Sequence, residues 1–213
     1  MKIKIEKPKI STDVKNANFH DIFYEEEPEL VNCSIKNSQV DNETLDRLFL
    51  SKVIFKNVNL VNCTFMNIDM TDVVFDNCNL SNARLCGGNI HRVEFKECKL
   101  LGLDLSEASL GNVLFENCDL NLSNFAETRL KQVCYEKSSL RSCNFFNSKF
   151  NKIVTNLCDI NDADFTQTML KGVDISTCTF EQINVSMEGL VGCEVSSNQA
   201  IGLSKLLGLK IKD

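Results

Sequence analysis

Between Leu30 and Val195 every fifth residue is Leu, Ile, Val, Phe, Met or Tyr, and Thr155 is the one exception among 34 positions. The chain as a whole is 43% hydrophobic, so composition alone would fill fewer than half of these positions with apolar side chains. Ten of the 14 Phe lie on them. The position two residues earlier is restricted as well: of the 27 from Val53 to Ile183, 23 hold Cys, Ala, Ser, Thr, Val or Gly, and none is charged. The three remaining positions of each quintet are rich in Asn, Asp, Ser, Lys and Glu, as in VNCTFMNIDMTDVVFDNCNLSNARL (61–85). On an α-helix a step of five rotates ~500° and leaves the next side chain ~140° away, and on a flat strand it alternates faces. Neither element can bury this pattern. A chain that turns a corner every five residues can, because each short side then sends one large and one small residue to a central core while successive coils pair through their backbones.

The number of sides per coil follows from which spacing aligns like residues. Phe pairs 20 apart occur five times (55/75, 75/95, 95/115, 125/145, 145/165) against two pairs 15 apart, which favours four sides over three. Cys pairs do not discriminate. Both prolines, Pro8 and Pro28, precede the first coil, as a hydrogen-bonded ladder requires. At 213 residues with only 9 Gly, one domain with short appendages is expected, and disordered or linker-dominated classes are excluded. No apolar run approaches the ~20 residues of a membrane helix, and MKIKIEKPKI at the start lacks a signal peptide's apolar stretch, so a cytoplasmic protein without membrane contact is expected.

Eleven Cys without a CxxC pair, and only His20 and His91 as imidazoles, give neither a disulfide framework nor a zinc spacing. Nine of the Cys occupy the small inward position; with 20 residues per coil Cys78, Cys98 and Cys118 form one interior column, continued by Cys158 and Cys178, and free thiols are expected. Cys86 and Cys134 fall outside that position and are the candidates for reactive thiols. Metal and cofactor sites are not expected, and no nucleophile with a plausible base, P-loop or separate carboxylate pair marks an enzyme.

The quintets ADFTQ (163–167), CDLNL (118–122) and LDLSE (103–107) resemble the pentapeptide repeat pattern, and the likeness extends over roughly four-fifths of the chain. That resemblance implies an all-β fold, a right-handed quadrilateral parallel β-helix, with a short C-terminal α-helix. The helix has its own signal: Ser196 to Gln199 has the form of a capping box, apolar residues follow at 200, 201, 203, 206 and 207, and Gly208 stops it. The expected organisation is an N-terminal cap over 1–28, in which Ile3 and Ile5 alternate as a short strand, the β-helix over 29–195, and a helix and strand over 196–213. EVSSNQAIGLSKLLGLKI (194–211) is similar to the terminal module of Qnr-type proteins, the quinolone resistance branch of the family, particularly its chromosomal Gram-positive members. By that resemblance the chain is a homodimer joined tail to tail through Ala200, Ile201, Leu203, Leu206, Leu207, Leu209 and Ile211. The alternative is that the helix only shields the open edge of the last coil.

Between positions 20 and 195 there are 15 basic against 26 acidic residues, while both ends are basic, and such a body argues against binding along a nucleic-acid backbone. About eight coils at ~4.8 Å give a rod ~40 Å long, and a tail-to-tail dimer reaches ~80 Å. Grouped by side of the coil, one side carries Asp76, Glu94, Glu97, Glu116, Glu136, Asp174 and Glu194 against Lys96 and Lys137, and the side before it carries Arg92, Arg129, Lys131, Lys149, Lys152 and Lys171 against Asp69, Asp72 and Glu188. The rod therefore reads as electrically two-sided. Together with the Qnr resemblance this implies a DNA mimic that docks on DNA gyrase or topoisomerase IV, inhibits the enzyme and relieves quinolone poisoning. Some Qnr proteins carry projecting loops that support protection; here only DNETLDR (41–47) looks loosened, so inhibition is the firmer expectation. The competing readings are a scaffold of the same family with another partner, and acids that only keep a solenoid soluble. The lysines at 2, 4, 7 and 9 are read as solvated charge.

Overall fold

The computed structural model describes residues 4–210. Ile3, Lys2 and Ile211, named above, lie outside that range. In chain order the elements are β1 (Lys15–Asn16), a 3-10 turn (Phe19–Tyr24), β2 (Glu29–Lys36), β3 (Thr44–Asp46), β4 (Phe49–Lys56), β5 (Thr64–Met66), β6 (Asp69–Asp76), β7 (Asn89–Lys96), β8 (Ser109–Glu116), β9 (Arg129–Glu136), β10 (Lys149–Asn156), α1 (Ser197–Leu203) and a 3-10 turn (Ser204–Leu207). All strand pairing is parallel among the described residues, in the order β1, β2, β4, β6, β7, β8, β9, β10, with β3 against β5 as a second small ladder. Partners are 20 residues apart, Phe75 with Phe95 and Phe95 with Phe115, so each coil has four sides of five residues. The fold is a parallel β-solenoid with a short C-terminal helix.

Each eight-residue strand covers two sides and turns a corner at its fourth residue. Asn32, Lys52, Asp72, Arg92, Asn112, Gln132 and Lys152 all have φ between 50° and 60°, the left-handed region. The same conformation recurs at nearly every fifth residue from Asn32 to Gly172, always one residue before the small inward position. Asn is frequent there because it tolerates φ > 0 better than other side chains and can hydrogen-bond locally. It also builds ladders up the outside: Asn77 Nδ2 donates to Asn57 Oδ1 at 2.8 Å and Asn57 Nδ2 to Asn37 Oδ1 at 3.0 Å. At Gly102 the corner has φ +68°, which glycine adopts without steric cost, and a Cβ would meet Asn82 Oδ1 at 2.7 Å unless that side chain moved. On the other two sides the coils are held by single bridges such as Asn79 with Lys99 and Arg84 with Asp104. The segment 41–47 is not loosened: Asn42 and Arg47 keep the corner geometry, and Thr44 to Asp46 pairs in register with Thr64 to Met66.

The large inward positions stack. Phe55, Phe75, Phe95, Phe115 and Tyr135 form one near-parallel column with centroid spacings of 4.8, 4.8, 5.0 and 5.1 Å. Phe125, Phe145 and Phe165 form a second at 4.9 and 5.2 Å, and the columns meet edge to face. The spacing is set by the backbone ladder, which places successive coils ~4.8 Å apart. Small inward residues donate back across the coil: Cys143 Sγ to Leu120 O at 3.0 Å, Ser123 Oγ to Leu100 O at 2.8 Å, Ser148 Oγ to Phe125 O at 2.6 Å. That position therefore selects for a small donor as well as for a small volume. All eleven Cys are free.

The N-terminal stretch departs from expectation. Phe19 and Ile22 are buried, and the Phe19 ring lies 6.2 and 6.0 Å from those of Phe55 and Phe65, closing the first coil. Residues 4–14, however, contain no strand, and Ile5 has no ladder partner. They run outside the rod along the corner between its first and second sides. Lys9 N–H donates to Asp72 Oδ1 at 2.9 Å, Glu6 N–H to Asn112 Oδ1 at 3.0 Å, and Gln132 Nε2 to Lys4 O at 3.3 Å. Lys4 to Lys9 spans ~16 Å if extended, close to the ~14 Å of three coil spacings from Gln132 back to Asp72. The arm's partners are side chains of successive corners, which explains why no backbone ladder forms.

Candidate interaction surfaces

Counting from residue 68, the four sides comprise 68–72, 73–77, 78–82 and 83–87 and their equivalents 20 residues away. On the second side Glu116 and Glu136 sit directly opposite each other in the ladder, both partly exposed, with Glu97 exposed at the neighbouring corner and Asp174 and Glu194 exposed further along. Like charges opposite one another cost stability. Asn156 donates to both oxygens of Glu136 at 2.9 and 3.0 Å, and Ser176 N–H donates to Asp174 at 2.9 Å. The Ser176 bonds hold the Asp174 carboxyl below its ordinary value, so it is charged at neutral pH. The remaining two of the seven expected acids are compensated. Asp76 is bridged by Lys56 at 3.0 Å, and Glu94 is only 5% exposed, its carboxylate held by Lys96 at 2.6 Å. Between Ile54 and Val154 the outward column containing Glu94 otherwise holds Val74, Leu114 and Cys134, so this carboxylate sits in a half-buried apolar stretch, and Asp174 and Glu194 continue the column beyond it.

The two-sided electrical division needs correction. Carboxylates also stand on the third side (Asp119, Asp159, Asp162, Glu181) and the fourth (Asp104, Glu107, Glu127, Asp164), so three acidic sides flank one cationic side. On the first side Arg92 is withdrawn into a bidentate pair with Asp72, at 2.6 and 2.9 Å. The Arg92 guanidinium and, secondarily, the Lys9 N–H hold the Asp72 carboxyl below the usual carboxylate range. Arg129, Lys131, Lys149, Lys152 and Lys171 remain exposed.

At the C-terminal end the capping box forms: Gln199 N–H donates to Ser196 Oγ at 3.3 Å, and Ser196 N–H to Gln199 Oε1 at 2.8 Å. Gln199 Nε2 also donates to Ile175 O and Cys178 O at 2.9 and 2.8 Å, anchoring the helix on the last coils. Gly208 caps in the left-handed region at φ 70°. Met187, Leu190, Cys193, Val195, Ala200, Leu203, Ser204, Leu206 and Leu207 line an open apolar groove of about 270 Å³. Ile201, Leu206, Leu207 and Leu209 are exposed beside it. The two interior voids, about 10 Å³ each, are apolar. Neither outlying thiol is activated: burial pushes Cys86 up, and burial with the nearby Glu136 and Glu116 pushes Cys134 up to about 11. Among the described residues no helix is long and apolar enough to cross a membrane.

The described residues form a rod of parallel coils with charged sides and an apolar groove at its C-terminal end. Part of the chain is similar to the pentapeptide repeat proteins: the model of the pentapeptide repeat region matches residues 88–165, and that of eight-copy pentapeptide repeats matches 69–102. No curated protein matches. Among solved structures, HetL, a pentapeptide repeat protein involved in heterocyst differentiation regulation in the cyanobacterium Nostoc sp. strain PCC 7120, is 16% identical over 79% of this chain and 83% of its own, with a TM-score of 0.51. A trypsin-treated variant of QnrB1, a plasmid-mediated fluoroquinolone resistance protein, is 16% identical over 85% of this chain and 99% of its own, with a TM-score of 0.46. Rfr23 from Cyanothece 51142 is 12% identical over 76% and 91%, with a TM-score of 0.27.

Proposed function

We propose that this protein acts as a duplex impostor: it enters a cationic DNA-binding cleft of a type II topoisomerase, DNA gyrase or topoisomerase IV, and inhibits the enzyme. The observation that carries this reading is the rank of uncompensated carboxylates fixed on a stiff rod, above all Glu116 and Glu136 one coil apart with Glu97, Asp174 and Glu194. Acids on three sides suit the role, since phosphate charge also surrounds a duplex, and a fixed array of one sign steers association with a cleft of the other. The Qnr-like C-terminal sequence supports the same partner. Two rods join tail to tail through the apolar groove and its exposed rim, Ile201, Leu206, Leu207 and Leu209. Inhibition is the primary effect. Protection from quinolones is the lesser one, because no loop projects from the coils at 41–47.

The test is a supercoiling assay in which the protein is titrated against gyrase with and without a quinolone. Inhibition in the micromolar range is expected, with the double variant Glu116→Lys/Glu136→Lys weaker by about tenfold or more, equivalent to ~1.4 kcal/mol. If neither condition responds, the topoisomerase reading fails, and a scaffold for a different partner, which the same rod also suits, takes its place.

A further inference from the structure

On the first side, strands β9 and β10 bring Arg129, Lys131, Lys149 and Lys152 onto adjacent coils, and Lys171 follows one coil on. All five are exposed, and none lies within ion-pair distance of a carboxylate among the described residues. Arg129 and Lys149 are direct ladder partners, so two like charges rise from backbone positions ~4.8 Å apart. At Lys56 with Asp76 and at Asp72 with Arg92, by contrast, neighbouring coils set opposite charges together. The N-terminal arm extends the patch, because Gln132 holds the Lys4 carbonyl next to Lys131. The overall negative charge does not cancel such a patch, since exposed charges beyond ~8 Å are largely screened at physiological salt.

We propose that this cationic side is a second docking surface, which takes the phosphodiester backbone of duplex nucleic acid. Four of its five side chains are lysines, point charges suited to phosphate. The surface is a side of the parallel sheet, and the apolar groove at the C-terminal end, which could take peptide side chains, is lined by other residues. It offers no exposed aromatic for stacking unpaired bases; Phe49 stands on the same side but four coils away. The summed negative charge of residues 20–195 argues against nucleic acid only for the body as a whole, and these cations are gathered on one side of it. This surface is distinct from the acidic sides, so its test stands apart from the supercoiling assay.

Binding of full-length protein to a fluorescein-labelled duplex of about 24 base pairs, followed by anisotropy from about 50 to 300 mM salt, should show micromolar affinity at the low end and a log-log salt slope of about −4 to −5 for five phosphate contacts. Lys149→Glu/Lys171→Glu should weaken it more than tenfold, with Lys149→Gln/Lys171→Gln as the milder pair should the first alter the thermal midpoint. Glu116→Lys/Glu136→Lys on the neighbouring side should leave it intact or tighten it. No anisotropy change up to ~100 µM protein at about 50 mM salt, or equal binding by variants that fold normally, would overturn the proposal. So would tighter binding of a single-stranded oligonucleotide or of polyglutamate, which would mark the patch as a site for another kind of polyanion.

Discussion

Tyr135 carries a cost that its neighbours in the aromatic column do not. Its ring continues the stack of Phe115 at 5.1 Å, but its hydroxyl is buried without a hydrogen-bond partner, and burial pushes its ionisation well above the ordinary value. An unsatisfied buried hydroxyl costs ~1–3 kcal/mol, so Tyr135→Phe should raise the thermal midpoint by several degrees. An unchanged or lower midpoint would mean that the hydroxyl is satisfied. Asp72 has a pH signature. Its carboxyl is held below the ordinary value, so the stability it contributes is complete above ~3.9 and lost as pH falls through the lowered value. The midpoint difference between the native protein and Asp72→Asn should therefore be constant near neutrality and shrink below about pH 4. A difference that persists in acid would assign the effect to packing.

At the scale of elements, the arm and the terminal helix are attached differently. The arm's backbone is held by the side chains of Asp72, Asn112 and Gln132. Asn112→Gly/Gln132→Gly, which keeps the left-handed corner conformation, should release it while leaving the coils in place, since their ladders run through the backbone. Trypsin would then cut faster after Lys9, whereas the bond after Lys7 is blocked by Pro8 in either form. Equal rates of cleavage would show that the half-buried Ile5, Pro8 and Ile10 hold the arm. The helix is fixed by Gln199, which closes its own cap and also satisfies two carbonyls of the last coils. Of these, the capping box was legible as a short-range pattern. The second role of Gln199 was not, because Ile175 and Cys178 are more than 20 residues away.

The whole molecule is a rod whose length and sides follow from stacking and whose ends decide what it assembles into. Leu207 is 57% exposed at the rim of the terminal groove. Leu207→Asp should convert a dimer into a monomer of 24.0 kDa in sedimentation equilibrium while leaving the β-sheet circular dichroism unchanged. A native protein that sediments as a monomer would instead make the helix a cover for the last coil. The quintet pattern made the sides legible, and with them the placement of Glu116, Glu136 and Lys149. It could not show that Lys96 folds back onto Glu94 or that Lys56 reaches Asp76, because side-chain pairing depends on which neighbours in adjacent coils come within reach.

What the sequence determined by itself was the coil: one large and one small inward residue in every five, repeated often enough to fix four sides and the register of each coil on the next. Local geometry sufficed, since each quintet needs only its neighbours 5 and 20 residues away. The three-dimensional structure alone decided the path of residues 4–9, which return along the outside of coils more than 60 residues distant, and which charges are withdrawn into pairs, as Arg92 is by Asp72 and Asp76 by Lys56. Those depend on contacts and proximities between residues far apart in the chain, and a periodic pattern carries no record of them.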